Sequence, residues 1–489
     1  MPLDWTSTRG RMLELELDRD PRTGRRVAVE AAIREAIRSG RLRVGDVLPS
    51  TRALAADLGL ARGTVVDAYA QLTGEGWVTS RPGAATRVSA TVERASAATR
   101  PRVAVHHRPR AQTAASQPEV IGLSPGLADL GAFPRTQWTA AVRKVMQTAP
   151  DRVLGHVDPQ GRIELRDALA GMLARARGVV AEPERIVIVN GFTQGLALLS
   201  SVLGRRGTEA MAMEDPNLPQ HRDVVRAAGL QVDRVPVDDD GARIDVLADL
   251  GSSAFVTTPS HQHPLGMSLH ADRRAELLDW AVRYNGLIVE DDYDGEFRYD
   301  RQPLAALQAR APEHVIYAGT AGKALAVGLR LGWFVVPPAW VEPIVAAKRT
   351  ADAGTAAIDQ LTLAEIIANG VYERHVRKMR ISYRQRRDHL VAVLAERAPE
   401  VSVEGLAAGL HAVIRLPPGG PTETEVVDAA RLANLDVAAL GAFWHHPGRH
   451  RPAVLVSYAA PPAHAFTATI ERLADVLAGV LRGTAAGRR

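Results

Sequence analysis

His314-Val315-Ile316-Tyr317-Ala318-Gly319-Thr320-Ala321-Gly322-Lys323 is an apolar run that passes through a turn of small residues and ends on a lysine. Lysine is scarce in this chain. Of 60 Lys+Arg residues only Lys144, Lys323, Lys348 and Lys378 are lysine, and 56 are arginine. An amine, unlike a guanidinium, can lose its proton and add to a carbonyl. A strand-to-turn position among apolar residues would lower its pKa by desolvation, which favours that chemistry. Lys144, Lys348 and Lys378 match no chemical motif and read as surface residues.

Around this stretch, Ile186-Val187-Ile188-Val189, Ala254-Phe255-Val256-Thr257 and Leu287-Ile288-Val289 are further short apolar runs. They alternate with helical patterns at 193–203, 217–228 and 272–284, which predicts an α/β body with a mainly parallel sheet. In such sheets ligands gather at the carboxyl ends of the strands. Asn190-Gly191-Phe192-Thr193-Gln194-Gly195 follows the first run as a Gly-flanked helix start suited to a phosphate. Glu290-Asp291-Asp292-Tyr293-Asp294 follows the third, an acidic cluster costly to bury without a cationic partner. Thr320, Lys323 and, seven residues further on, Arg330 follow the run at 314–317. A phosphate cradle, a carboxylate beside a phenol, and an amine near a hydroxyl and an arginine are what pyridoxal phosphate requires of a protein.

Ahead of this body, Val29, Ile33, Ala36 and Ile37 line one face of a helix ending at Gly40. Ser50 is a suitable N-cap for a second, short helix carrying Leu54 and Leu58. Gly59-Leu60-Ala61 turns the chain into a third helix with Val65, Tyr69 and Leu72 inward. That is a helix-turn-helix, whose later helix enters the major groove by its N-terminal residues, here Arg62, Gly63 and Thr64. Arg52 stands on the preceding helix, placed for a phosphate or a base edge. A β-wing follows through Trp77-Val78-Thr79 and Thr86-Arg87-Val88, with Arg81 and Gly83 at its tip.

Residues 26–89 resemble the GntR-type winged helix-turn-helix. The matching residues include Gly45-Asp46-Val47-Leu48-Pro49-Ser50-Thr51-Arg52, Leu58-Gly59, Thr64-Val65, Glu75-Gly76-Trp77 and Pro82-Gly83. Ala61 and Gly63 depart from the hydroxyl and polar residues usual there, so base readout is expected to differ. Residues of about 120–480 resemble the fold-type-I aminotransferases, specifically the aminotransferase-like half of MocR-type regulators. This rests on Asp158-Pro159-Gln160-Gly161, Glu214-Asp215-Pro216, Thr258-Pro259-Ser260-His261-Gln262, Glu290-Asp291-Asp292-Tyr293-Asp294, Gly319-Thr320, Lys323 and Gly328-Leu329-Arg330-Leu331-Gly332. The resemblance implies that Lys323 carries pyridoxal phosphate as an internal aldimine and that Asp291 pairs the pyridine nitrogen. It further implies Tyr293 at the ring hydroxyl, Thr320, Arg330 and the Phe192 and Thr193 N–H groups at the phosphate, and His261 lining the ring. Leu218, His156, Gly322 and Val327 stand where the family usually has Tyr, Tyr, Ser and Pro. The late strand 453–458 also lacks the arginine that holds a substrate carboxylate in aminotransferases.

Composition agrees with three parts: a DNA-binding domain over 1–89, a linker over 90–118 and a pyridoxal-phosphate-binding body over 119–489. The body divides into a large part of about 160–390 and a small part of about 391–489. Residues 1–118 carry 19 arginines against 12 carboxylates, a net of +7, while the remainder is near neutral at −2. A polyanion partner is thus expected for the first part only. Zero cysteines exclude disulfides and thiolate metal sites, and no metal site is expected. No apolar stretch reaches membrane-span length and the start carries no signal pattern, so the chain reads as cytoplasmic. The resemblance implies a homodimer, each winged helix reaching across to the other subunit's body. A flexible linker of this length averages roughly 30 Å end to end. The expected function is a regulator of transcription on double-stranded DNA, with pyridoxal phosphate or its amino-compound adduct as effector. A working aminotransferase with a DNA-binding appendage and a regulator that has lost the cofactor are the alternatives.

Overall fold

The computed structural model describes residues 24–80, 85–89, 121–123, 125–299, 304–446, 448 and 450–486. The chain divides into two compact units near residue 115.

In the first unit, α1 (Arg25–Arg38), α2 (Thr51–Leu58) and α3 (Arg62–Gly74) surround a core of Val29, Ile33, Leu54, Val65, Tyr69 and Leu72. Ser50 caps α2 through the Ala53 N–H at 3.2 Å, and Gly59 ends that helix at φ +64°, a conformation natural to glycine. Tyr69 ties α3 back to the turn before α2 by donating to the Pro49 carbonyl at 2.9 Å. The wing strands β1 (Val78–Thr79) and β2 (Arg87–Val88) pair antiparallel. The expected wing-tip residues Arg81 and Gly83 and the expected linker lie outside the described residues.

In the second unit, β3 (Ile121–Gly122) is a short strand ahead of the main sheet. That sheet comprises β4 (Ile186–Val189), β5 (Ala210–Asp215), β6 (Gln231–Asp238), β7 (Gly241–Ala242), β8 (Ala254–Thr257), β9 (Leu287–Asp291), β10 (Val315–Thr320) and β11 (Gly332–Val335). Their order is β4-β11-β10-β9-β8-β5-β6-β7, parallel throughout except for β11 and the edge strand β7. The four apolar runs are strands, as expected. β5, β6 and β11 are strands too; β5 and β6 carry charged residues among their apolar ones, while β11 lies in a further apolar run at 331–336. β6 lies beside the edge and is largely solvent-facing.

Alternate residues of each central strand face opposite layers. Val187, Val189, Ile316 and Phe334 pack toward the helices Phe192–Arg205 and Pro338–Asp352. Ile186, Ile188, Tyr317 and Trp333 pack into the other layer, with the helices Ile163–Arg177 and Ala357–Ala368. Each such side chain contributes about 1.5–3 kcal/mol by leaving water, and burial on both faces explains why the strands read as continuous apolar runs.

The helix Val371–Arg397 spans the expected boundary between the large and small parts. Beyond it, β12 (Ser402–Glu404), β13 (His411–Arg415), β15 (Ala438–Ala439) and β16 (Ala453–Ser457) form an antiparallel sheet in the order β12-β13-β16-β15. β14 (Leu435–Asp436) pairs with β3 instead, tying the start of the unit to its end. One expectation is corrected here. Lys348 is not at the surface but wholly buried in the helix Pro338–Asp352, paired with Asp352 at 2.8 Å.

Candidate functional site

The parallel strands all end on one edge of the main sheet, and β11, running the other way, begins there. A cavity of about 380 Å³ opens at this edge and is lined by Phe192, Thr193, Asp291, Tyr293, Thr320, Lys323 and Arg330 among others. Seven of the eight residues expected around a cofactor thus converge on one space.

Each arrives for a local reason. Lys323 follows the turn after β10, partly buried, and its Nζ donates to the Gly126 carbonyl at 2.6 Å. Burial lowers its pKa below the ordinary amine value, opposed by the nearby Asp294 and Asp291. Thr320 Oγ1 accepts the Gly322 N–H at 3.0 Å, which pins the turn. A Cβ at Gly322 would stand 3.2 Å from that oxygen, so the serine usual in the family would crowd it. Arg330 sits at φ +54° just before β11 and donates to the Asn190 carbonyl at 2.6 Å. Gly191, at φ +85°, begins the helix Phe192–Arg205 without a side-chain cap, so the first-turn N–H groups of Phe192 and Thr193 have no acceptor one turn back. A Cβ on Gly191 would meet the Arg330 guanidinium at 3.3 Å, and glycine alone allows both the φ and the approach.

The acidic cluster resolves by direction. Glu290 points away from the cavity and accepts the Leu307 and Gln308 N–H groups at 2.9 and 3.1 Å; burial raises its pKa to about 7. Asp292 is paired with Arg177 at 2.7 and 2.8 Å and accepts the Tyr317 hydroxyl at 2.6 Å. Asp294 meets His261 Nδ1 at 2.8 Å. Asp291 alone faces the cavity, and no described side chain or backbone group hydrogen-bonds its carboxylate. Burial holds its pKa well above the ordinary range, countered by Lys323.

His261 does not line the cavity. It stands behind Tyr293, whose hydroxyl lies 3.0 Å from its Nδ1. The histidines in the wall are His221, His263 and His411; of these only His411, in Ala408-Gly409-Leu410-His411, also carries the family resemblance, and none is among the expected site residues. Burial depresses all three, His221 and His411 to about 4. His221 had a sequence signal, being on the helix that starts beside Leu218. His263 and His411 are brought in by tertiary folding, from the loop after β8 and from β13 of the small sheet.

Two departures from the family pattern have structural consequences. Leu218 lines the cavity and packs with an apolar cluster of Val413, Leu440, Phe443 and Leu455. His156 is exposed and does not line the cavity. Lys323 and Arg330 are the only Lys or Arg residues in the wall among the described residues.

In the first unit, Ser50 is committed to capping α2, and Arg52, Arg62 and Gly63 are exposed at the starts of α2 and α3, with Thr64 half-buried beside them. A Cβ on Gly63 would meet nothing within 4 Å, so the face is open there.

Residues 118–442 match the aminotransferase class I and II family, and residues 25–88 match the bacterial regulatory proteins of the gntR family. The second unit has the fold of the fold-type-I aminotransferases and resembles the crystal structure of an archaeal alanine:glyoxylate aminotransferase. That likeness has a TM-score of 0.67 at 26% identity, over 74% of this chain and 91% of that one. The class defined is therefore an aminotransferase-like body joined to a DNA-binding helix-turn-helix. Within that class the chain belongs to the MocR-type subfamily of GntR transcriptional regulators. It is 32% identical over 417 residues to the pyridoxine biosynthesis transcriptional regulator PdxR of Corynebacterium glutamicum, covering 85% of this chain and 88% of that protein. It is also 32% identical over 438 residues to the transcriptional regulator TauR of Rhodobacter capsulatus, covering 86% and 89%.

The aminotransferase fold family ordinarily uses pyridoxal phosphate. The donor set here fits that group: an amine of lowered pKa, a carboxylate without a protein partner, and an arginine beside an uncapped helix start. No helix among the described residues is long and apolar enough to cross a membrane.

Proposed function

We propose that this regulator binds pyridoxal 5'-phosphate covalently through Lys323 and responds on its operator to the cofactor or to its adduct with an amino compound. The observation that carries the reading is the convergence of Lys323, Asp291 and Arg330 on one cavity at the strand ends. Bound pyridoxal phosphate supplies an aldehyde that condenses with amines and a ring that withdraws electrons. Lys323, its amine deprotonated more readily than usual, holds the aldehyde carbon. Asp291 meets the ring nitrogen and Tyr293 the ring hydroxyl, with His261 and Asp294 orienting the Tyr293 hydroxyl from behind. Arg330, Thr320 and the Phe192 and Thr193 N–H groups receive the phosphate, which suits a helix N-terminus.

The cavity wall favours sensing over turnover. The late strand β16 carries no arginine for a substrate carboxylate, and Lys323 and Arg330, the Lys and Arg residues of the described wall, are both committed to the cofactor in this reading. On DNA, Arg62, Gly63 and Thr64 would face base edges, with Ser50, Arg52, Arg81 and Gly83 near the backbone. The three-part division at 1–89, 90–118 and 119–489, a homodimer and a cytoplasmic location belong to the same proposal. An effector acts here only by favouring one arrangement of the domains over another.

Purified protein titrated with pyridoxal phosphate is expected to develop a visible absorption band that Lys323→Ala abolishes. A band that survives the substitution, or no band in the wild type, rejects the reading. Operator binding followed by fluorescence anisotropy should then change with cofactor in the wild type and not in Lys323→Ala.

A further inference from the structure

Lys348 is the other buried lysine of this chain, and it sits one layer behind the cavity. Its ammonium, fully shielded from solvent, donates to Asp352 Oδ2 at 2.8 Å and to Gln194 Oε1 at 3.3 Å. Asp352 Oδ2 also accepts Gln194 Nε2 at 2.5 Å and Asn190 Nδ2 at 2.9 Å. Gln194 Oε1 in turn accepts the Asn190 backbone N–H at 2.7 Å. The Asn190 carbonyl, on the other side of the same peptide segment, receives Arg330. Asn190 and Gly191 form the turn from β4 into the helix Phe192–Arg205, so three side chains on two helices, Lys348, Asp352 and Gln194, hold that turn through Asn190 from behind.

We infer that Lys348 and Asp352 are positioning residues for the phosphate cradle, setting the turn that aims the Phe192 and Thr193 N–H groups and anchors Arg330. This rests on the cofactor reading above. Three features separate it from ordinary core packing. Lys348 orients the Gln194 amide, because an ammonium can only donate and so selects the oxygen. Gln194 can then accept from the Asn190 N–H while donating to Asp352. Lys348 also balances the Asp352 charge, which would otherwise stand uncompensated behind a site for a dianion. Finally, the network also holds the Gly354 N–H outside the cavity, but within the cavity wall its hydrogen bonds reach only this turn, so its loss should be felt by the phosphate and not by the ring.

The test compares two probes, pyridoxal phosphate and pyridoxal, which differ only in the phosphate. Dissociation constants are measured by absorbance titration on the full-length wild type and on Lys348→Met. The substitution is expected to weaken pyridoxal phosphate roughly tenfold, the scale of one charge-assisted hydrogen bond, while pyridoxal changes by less than about twofold. Should Lys348→Met fold poorly, Gln194→Leu, which keeps both charges and removes the amide linking the ammonium to the Asn190 N–H, is expected to shift the same ratio in the same direction. Equal shifts for the two probes, or none for either, overturn the inference. A wild type that binds neither probe instead sinks the cofactor reading itself.

Discussion

Gly191 and Arg330 are closely coupled in the cavity wall. The glycine has φ +85° and leaves just enough room for a guanidinium that a Cβ would meet at 3.3 Å. Gly191→Ala is expected to strain the turn and push Arg330 off the Asn190 carbonyl, weakening pyridoxal phosphate by roughly tenfold in an equilibrium titration. Arg177 and Asp292 are a second pair, both side chains under a tenth exposed and bonded twice. Arg177→Met leaves Asp292 buried without its cation, at a cost of about 3–5 kcal/mol in urea denaturation. Glu290 sets a pH dependence. Burial, then the nearby Asp292, raises its pKa from the ordinary 4.5 to about 7, so the folded chain holds this proton more tightly than the unfolded chain. The stabilisation linked to that proton is full below about pH 4.5 and is lost as pH rises through about 7. Glu290→Gln should flatten the stability profile across that window, and a profile as steep as the wild type's would show that other groups set it.

At the scale of elements, the antiparallel strand β11 explains why the site assembles. Arg330 precedes it, and had β11 run parallel to its neighbours this arginine would lie at the opposite edge from Lys323. The strand-ending runs at 186–189, 254–257, 287–289 and 314–317 were legible because strands buried on both faces are continuously apolar. β6 was not, since it is half-solvated and charged residues interrupt it, whereas β11, four residues long like β4 and β8, lies in the apolar run 331–336 that local patterning also offers. The helix-turn-helix was legible from its caps: Ser50 accepts the Ala53 N–H and Gly59 takes the left-handed conformation. α3 presents Arg62 exposed at its first turn. If Arg62 contacts a base edge, Arg62→Ala costs about 1–3 kcal/mol of operator binding and relaxes specificity at one position; contact with phosphate alone gives a uniform loss across sequences and a shallower salt slope. Anisotropy titrations on operator and scrambled DNA at two salt concentrations separate the two.

At the scale of the whole molecule, two units with separate cores imply separate responses to ligand. Pyridoxal phosphate at about 100 times its dissociation constant should add about 2.7 kcal/mol to the stability of the aminotransferase-like unit. Calorimetry is expected to show that transition moving upward while the transition of the helix-turn-helix unit stays in place. A joint shift of both would reveal coupling between the units.

From the sequence by itself follow the two-part architecture, the family, and seven cavity residues, because each stands at a strand end or helix start that local patterning marks. Local patterning leaves Glu290, Asp291, Asp292 and Asp294 equivalent and the resemblance points to Asp291; only the tertiary structure supplied the partners that turn the other three away from the cavity. It also moved His261 behind Tyr293 and brought His221, His263 and His411 into the wall. Of the four lysines, Lys323 could be recognised from its own neighbours in the chain. Lys348 could not, because its local partner Asp352 reads as an ordinary i,i+4 pair of a surface helix, and the contact with Gln194 comes from more than 150 residues away.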